Sequence, residues 1–389
     1  MALSTADHGS HELIRDRIFG SMLGSALGDC VGLFTEFLPK SLAKEAYPSG
    51  FRLVEPKTKK VSDWHRNKFA YGSWTDDTDH ALLILLSYLH NNGQLLPDDL
   101  ARRLSIWCRD GLVCLGTLPV DIGMTIRKIA SNPRYLDGPE ATAMASWKAS
   151  GCKNAANGSL MRTHPLGAMC FSMPLEDAFK TARAFSLVTH PDPKCVVGCC
   201  ISVGLIRGIL TGQIKHEDDV TDLCKVAFHW VEERNRGSPE METANFDKTE
   251  FTNHVFAGSL GALELDSTMA MGYVYKALGA AVLSLREAMR RCPAGVNTAS
   301  SDASQAFEDI ITSLIMEGGD ADTNACIAGA LVGAWLGYQG LPAHWRDGML
   351  NREWLEAKVE GMSRILGVVG GEYKAEEDKD TRLDGGVSG

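Results

Sequence analysis

Apolar residues along this chain recur mostly at the three- and four-residue spacing of helices, and no convincing stretch alternates as a half-buried strand would. From Leu13 to Leu33, the residues Ile14, Ile18, Met22, Leu23 and Ala26 fall on that spacing. Gly20, Gly24, Ser25 and Gly28 lie among them, small enough to admit another backbone. This helix is predicted to end around Asp29–Gly32, leaving Phe34–Pro39 as a loop. The run Ala81–Leu86 is hydrophobic on all sides, which predicts a central helix. Thr75 is a suitable N-cap for it, with Asp76 and Asp77 in the first turn. Further helices are predicted over Leu100–Cys114, from the turn at Asp121–Thr125, over Leu175–Leu187, Lys194–Leu210, Glu217–Phe228 and Met271–Met289, and over Phe307–Met316. In the last core helix Ala325, Gly329, Gly333 and Gly337 recur every four residues, a stripe that should touch another helix closely. Trp345 and Trp354 are expected to pin a final helix onto the body.

Between these elements the polar stretches read as loops. They are Pro48–Ala70, Arg234–Phe251 (an insertion or mobile surface loop) and Cys292–Ser304. Residues 1–12 read as a polar N-terminal segment, 13–370 as one domain, and 371–389, rich in acids and glycine, as a disordered tail. No short-period repeat interrupts this. The predicted fold is all-α, one compact helical bundle with loops gathered at one end.

Composition narrows the function. The chain has 389 residues, 44% hydrophobic and 23% charged, which is ordinary for a globular protein. Its formal net charge of −10 speaks against a dedicated polyanion binder, so no nucleic-acid partner is expected. The longest apolar runs, Cys195–Ile206 and Ala325–Tyr338, fall short of the ~20 residues of a bilayer span, and the polar start is not a secretory signal. Eleven cysteines without paired CxxC spacing read as reduced, buried small hydrophobes, which places the protein inside the cell, cytoplasmic or nuclear.

Candidate chemistry concentrates in two acidic stretches. Gly318-Gly319-Asp320-Ala321-Asp322-Thr323-Asn324 sets two carboxylates and a hydroxyl at the mouth of the glycine-striped helix. Residues i and i+2 of a regular helix diverge by about 200°, so Asp320 and Asp322 converge only if the segment is a turn entering the helix. Trp74-Thr75-Asp76-Asp77-Thr78-Asp79 repeats the same logic upstream. Such acids cap a helix start, where backbone N–H groups are unpaired, but three within four residues repel one another unless a cation sits among them. Oxygen-only donors of this kind suit Mg²⁺ or Mn²⁺. Three weaker signals accompany them. Glu36 is an acid among apolar residues, as compatible with a surface loop as with a site. Gly151–Arg162 is a loop that cradles a phosphate or simply turns. His190 stands at a helix boundary, where caps and core histidines are also common.

Taken together, Gly28-Asp29 with Glu36, Trp74-Thr75-Asp76-Asp77-Thr78, Asn157-Gly158-Ser159-Leu160-Met161-Arg162, Thr189-His190 and Gly318-Gly319-Asp320-Ala321-Asp322-Thr323 appear in the order seen in the ADP-ribosylglycohydrolase family. The resemblance runs from about Ile14 to Trp354. It implies an orthogonal all-α bundle with two Mg²⁺ (or Mn²⁺) ions in a central cleft. Carried over by position, Thr75, Asp76, Asp77, Asp320, Asp322 and Thr323 resemble the metal ligands. Glu36 is similar to the acid facing the reacting ribose, so Glu36, Asp76 and Asp77 are the catalytic candidates. Asn154, Ala155, Ala156 and Asn157 resemble the loop along the diphosphate and proximal ribose, His190 a substrate-contacting histidine, and Gly116, Asp121 and Gly123 a wall of the ribose pocket. One departure is Ala321, where the family usually has threonine or serine; it is expected to point away from the metals. Around Asn154-Ala155-Ala156 an aromatic found in some relatives is also absent.

The implied reaction is hydrolysis at C1″ of an ADP-ribosyl group, releasing ADP-ribose from a protein serine or arginine. Two alternatives stand beside it. The substrate is instead a small derivative (O-acetyl-ADP-ribose, poly(ADP-ribose) or ADP-ribose 1″-phosphate), or the chain is a non-catalytic ADP-ribose binder. A monomer is expected.

Overall fold

The computed structural model describes residues 5–239, 243–294 and 300–387. All regular elements among them are helical; the extended pairings are isolated bridges such as Pro39 with Gly318. In chain order the helices are α1 (Thr5–Gly32), α2 (Lys40–Ala46), α3 (Asp76–His90), α4 (Pro97–Asp110), α5 (Met124–Ala130), α6 (Pro139–Ala149), α7 (His164–Met169) and α8 (Leu175–Leu187). They continue with α9 (Pro193–Leu210), α10 (Glu217–Arg234), α11 (Lys248–Val255), α12 (Val274–Arg291), α13 (Ser301–Ile315), α14 (Ala321–Leu336), α15 (Ala343–Arg346) and α16 (Arg352–Ile365).

The axis of the molecule is the contact between α1 and α14. Gly20, Gly24, Gly28 and Gly32 of α1 lie against Gly333, Gly329, Ala325 and Asp322 of α14. A Cβ at Gly24 would sit 2.5 Å from the Gly329 carbonyl oxygen, and one at Gly28 2.6 Å from the Ala325 carbonyl carbon. Two backbones therefore touch along their whole shared length, as the four-residue stripe predicted. Around this pair, α3, α9, α12 and α13 bury their apolar faces in one continuous core. Helix α9 has the length and apolarity of a membrane-crossing helix, yet every residue of it is buried within the protein. Trp345 is fully buried and donates from Nε1 to the Phe51 carbonyl (2.9 Å), but it pins the short α15; of the two tryptophans expected to pin a final helix, only Trp354 lies in that helix, α16. None of the eleven cysteines is in a disulfide.

Several expectations need correction. Helix α1 starts at Thr5, so much of the polar segment 1–12 belongs to it; residues 12, 13 and 15 are exposed, and an exposed turn leaves no apolar period to read. Helix α4 runs from Pro97 to Asp110 and stops at Gly111 (φ 76°) instead of continuing to Cys114. Helix α10 continues past Phe228 because Val231 extends its buried face. The flanks of the 234–251 stretch are anchored: Phe246 stacks on Phe228 (4.6 Å between centroids), Asp247 caps α11 and Phe251 is buried. Residues 240–242 of it, and 295–299 of the Cys292–Ser304 loop, lie outside the described residues.

The stretch from Gly371, read as a disordered tail, is laid across the body. Trp354 Nε1 donates to Asp380 (2.8 Å), Tyr373 OH to Asp378 (2.8 Å) and Arg103 Nη2 to the Thr381 carbonyl (2.8 Å). Lys358, nearly buried, pairs with both Asp378 and Asp380. The acids that look like a solvated run are the counter-charges of that lysine.

Candidate metal centre and cleft

The N-terminus of α3 is held by a residue from another helix. Asp29, at the end of α1, accepts from the backbone N–H of Thr75 (3.0 Å) and Thr78 (3.0 Å) and from the Thr78 hydroxyl (2.5 Å). A buried carboxylate thus satisfies the unpaired amides of the first turn. Burial pushes its pKa up to about 6, with the threonine donors pulling the other way. Thr75 itself is the N-cap, accepting from Asp77 N.

The start of α14 is built by Gly318 (φ 74°) and Gly319 (φ 70°), a left-handed pair that glycine adopts freely. Phe37 N donates to the Gly319 carbonyl (2.6 Å) and Gly319 N to the Leu38 carbonyl (3.0 Å), so the loop after Glu36 is clamped to the aspartate turn. Asp320 is the residue before the helix and Asp322 lies in its first turn. Their side chains can therefore converge, which a regular helix would forbid.

Across the gap the threonine hydroxyls of Thr75 (3.1 Å) and Thr323 (3.0 Å) both donate to Asp77 Oδ2. Asn157 Nδ2 donates to Asp320 Oδ2 (2.7 Å). Asp77 Oδ1 and Asp322 Oδ1 are buried with no hydrogen-bond partner. Oxygens of Asp29, Asp77 and Asp322, and of Glu36, Asp320 and Asp322, form two groups whose atoms lie within 4.8 Å of one another. Burial raises the pKa of Asp76, Asp77, Asp320, Asp322 and Glu36, and neighbouring carboxylates raise it further. Buried orphan oxygens amid like charges are what a divalent cation relieves, so the donor set fits a hard metal.

These groups open on a cleft of about 360 Å³. Of the residues expected there, Glu36, Asp76, Asp77, Asp121, Gly123, Asn154, Ala156, Asn157, His190, Asp320, Asp322 and Thr323 line it. Three do not. Ala155 packs in the core, its carbonyl accepting from Val274 N (3.0 Å). Gly116 closes the short turn Val113–Leu115 with φ 64°, away from the cleft. Thr75 faces Asp77 and a second cavity of about 280 Å³, which shares Asp76 with the cleft. Ala321 is buried in the core.

His190 stands in the wall behind Gly158, where a Cβ would lie 3.0 Å from its Cε1. Thr189 Oγ1 accepts from Arg162 Nη2 (2.6 Å) and lies 2.7 Å from His190 Nδ1. Burial, with the Arg162 charge behind it, holds the imidazole pKa down to about 3. His190 is neutral. Asn154 Nδ2 donates to Thr125 Oγ1 (2.8 Å), tying the loop to α5.

Two residues at the site escaped the sequence reading of roles. Asp29 was visible only as part of a motif, and its capping of α3 from 46 positions away has no local signature. His65, inside what read as a basic loop, has Nε2 2.6 Å from Glu36 Oε2 and Nδ1 3.4 Å from Asp121 Oδ2. Beside it the buried Arg66 donates to the carbonyls of Phe34 (2.9 Å) and Glu36 and pairs with Asp63.

A family model described as ADP-ribosylglycohydrolase matches residues 10–375. The ADP-ribosyl-[dinitrogen reductase] glycohydrolase of Rhodospirillum rubrum is 24% identical over 358 residues, covering 91% of this chain and 98% of its own. The ADP-ribosylarginine hydrolase Tri1 of Serratia proteamaculans (strain 568) is 25% identical over 341 residues, covering 87% and 76%. A solved structure titled ADP-ribosylglycohydrolase-related protein complex superimposes with a TM-score of 0.59 at 25% identity, covering 91% of this chain and 99% of that one.

Proposed function

The chain belongs to the ADP-ribosylglycohydrolase family, and on that premise we propose that it is a metal-dependent hydrolase that cleaves the C1″ bond of ADP-ribose linked to a protein serine or arginine. The observation that carries this reading is the convergence of Asp76, Asp77, Asp320, Asp322 and Glu36 on one cleft, with two carboxylate oxygens left bare. Asp76, Asp77, Asp320 and Asp322, with the hydroxyls of Thr75 and Thr323, would hold two Mg²⁺ (or Mn²⁺), which when bound supply Lewis acidity and neutralise the site's charge.

The protein's own groups do the rest. Asn157 fixes the rotamer of Asp320 through their hydrogen bond, and Thr75 and Thr323 fix that of Asp77. Glu36, buried in the wall, takes a proton from the attacking water or orients it with the 2″-hydroxyl. His190 contacts the substrate. Because its imidazole is neutral far below physiological pH, it stays in one charge state throughout the working range. The Asn154–Asn157 loop lies along the diphosphate and proximal ribose. Eleven cysteines outside any disulfide are in keeping with an intracellular site of action.

Release of free ADP-ribose, measured by mass spectrometry, tests the reading with arginine-linked, serine-linked, O-acetyl and 1″-phosphate substrates, each with Mg²⁺ and with chelator. We expect chelator-sensitive release from a protein-linked substrate, lowered at least about 100-fold in Asp77→Asn and Asp322→Asn. Release that survives chelator and both substitutions would overturn the metal reading. A folded protein that binds ADP-ribose yet releases none would overturn the hydrolase reading.

A further inference from the structure

Resting on the hydrolase reading, we propose that His65 is the positioning residue for Glu36. Glu36 needs such a partner. It is 2% exposed and shares its pocket with the carboxylates of Asp320 and Asp322, so left alone it would turn away from them. His65, also 2% exposed, sets a ring nitrogen against it, Nε2 at 2.6 Å from Oε2. That contact anchors one carboxylate oxygen and leaves Oε1 for the cleft.

The imidazole is itself fixed. Nδ1 has no hydrogen-bond partner, and the charge nearest to it is Asp121 Oδ2 at 3.4 Å, on the opposite side of the ring from Glu36. The rings of Phe37 (4.8 Å), Phe69 (5.5 Å) and Trp64 (5.7 Å) enclose its faces and edges. Asp63 holds the backbone N–H of His65 (3.1 Å), and Arg66 holds the Glu36 carbonyl from the next position in the chain. Asp121 sits in a left-handed turn (φ 62°) at the cleft wall, its side chain 29% exposed. Glu36, His65 and Asp121 thus lie in a line from the buried acid to the solvent edge, with the ring held in place by its aromatic neighbours and its anchored backbone. Neither Ala nor a bulkier apolar residue at position 65 could supply the N–H that Glu36 requires.

A double-mutant cycle on the preferred substrate decides the matter, using His65→Ala, His65→Gln and Glu36→Gln, alone and combined, with unfolding temperature and ADP-ribose affinity measured for each. His65→Ala is expected to lower kcat about 10- to 100-fold with KM and ADP-ribose affinity within about twofold. His65→Gln, whose amide returns an N–H to Glu36, is expected to recover much of the loss. In the Glu36→Gln background, removing His65 should cost little more, because both changes cancel the same function. Additive losses, a change in KM alone, or no rescue by glutamine would overturn the proposal while leaving the hydrolase reading intact. If His65→Ala fails to fold, His65→Leu, which fills the space without an N–H, takes its place in the cycle. A wild-type protein that releases ADP-ribose from no substrate would overturn the hydrolase reading, and this proposal with it.

Discussion

Replacing Gly32 by alanine tests whether the helix crossing sets the geometry of the metal site. A Cβ there would lie 2.7 Å from both the Ala321 carbonyl oxygen and Asp322 N, whereas ordinary contact begins at 3.4 Å. It would come closer still to Asp322 Cα, so the start of α14 must move by about 1 Å away from α1, or the ends must splay. Glycine to alanine inside a helix would otherwise gain roughly 0.5–1 kcal/mol, so any net loss belongs to the crossing. Overpacking of this kind costs about 1–3 kcal/mol. With an unfolding entropy of about 2.1 cal/mol/K per residue, a chain of this length should lose roughly 1–4 °C in Tm. The effect on the site should be larger, because Asp322 is the residue displaced; a shift approaching 1 Å costs up to about 100-fold in rate or metal affinity. Gly20→Ala supplies the control. Its Cβ would lie 2.6 Å from the Gly337 carbonyl carbon, an equal insult about 18 Å further along α1. The assay is ADP-ribose release against Mg²⁺ concentration, with thermal unfolding alongside. Equal Tm losses, with the Mg²⁺ requirement raised only in Gly32→Ala, are expected. An unchanged Mg²⁺ requirement in Gly32→Ala, or the same rise in both variants, would refute the reasoning.

Two further outcomes follow from groups near the centre. Asp29→Ala leaves the N–H groups of Thr75 and Thr78 and the Thr78 hydroxyl without their acceptor, at roughly 1–3 kcal/mol for each group that water cannot reach. Chemical denaturation should show a loss of at least ~2 kcal/mol and Mg²⁺ titration a weaker site, with Asp29→Asn intermediate. His164, buried and bonded to the Met161 carbonyl (3.3 Å), has its pKa pushed down to about 4 by burial. The unfolded chain then binds a proton that the folded one refuses, so this contribution is present above pH 6.5 and is lost as pH falls through 6.5 toward 4, by ~2 kcal/mol at pH 5. His164→Asn should flatten the fall in stability between pH 7 and pH 5 by about that amount; an unchanged slope would show the histidine to be protonated in the fold.

Much of the architecture was legible because helices announce their buried faces. The four-residue glycine stripe from Ala325 onward implied a close partner, and the structure supplies Gly20, Gly24, Gly28 and Gly32 of α1. The two aspartate stretches were readable for the same reason: glycine or an N-cap threonine before acids marks a helix start, and acids in excess of capping need imply a cation. What was hidden is what lies far apart in sequence. Asp29 caps a helix from another element, and His65 meets Glu36 only because Arg66 draws the 63–66 turn onto the carbonyls of Phe34 and Glu36. The tail misled for a related reason, since an acidic run reads as solvated until the buried Lys358 that it neutralises is located. Ala155 and Gly116 were drawn into the site by their neighbours in sequence, although one faces the core and the other closes a turn outside the cleft.

The placement of the site follows from the crossing itself. Side chains are excluded where α1 and α14 touch, so the acids must stand at the ends of that contact, and both do: Asp29 at the last turn of α1, Asp320 and Asp322 at the first turn of α14. Asp29 is fully buried and spends its acceptors on α3, which brings Asp76 and Asp77 against the same point. The Gly318–Gly319 turn is bonded to the backbone of Phe37 and Leu38, which brings Glu36. Three chain segments distant in sequence are thus tied to one helix contact by backbone hydrogen bonds, before any cation is considered. Mutual repulsion of the carboxylates opposes that convergence, and the glycine contact is the part of the structure rigid enough to sustain it. A site assembled this way should lose metal affinity before it loses its fold.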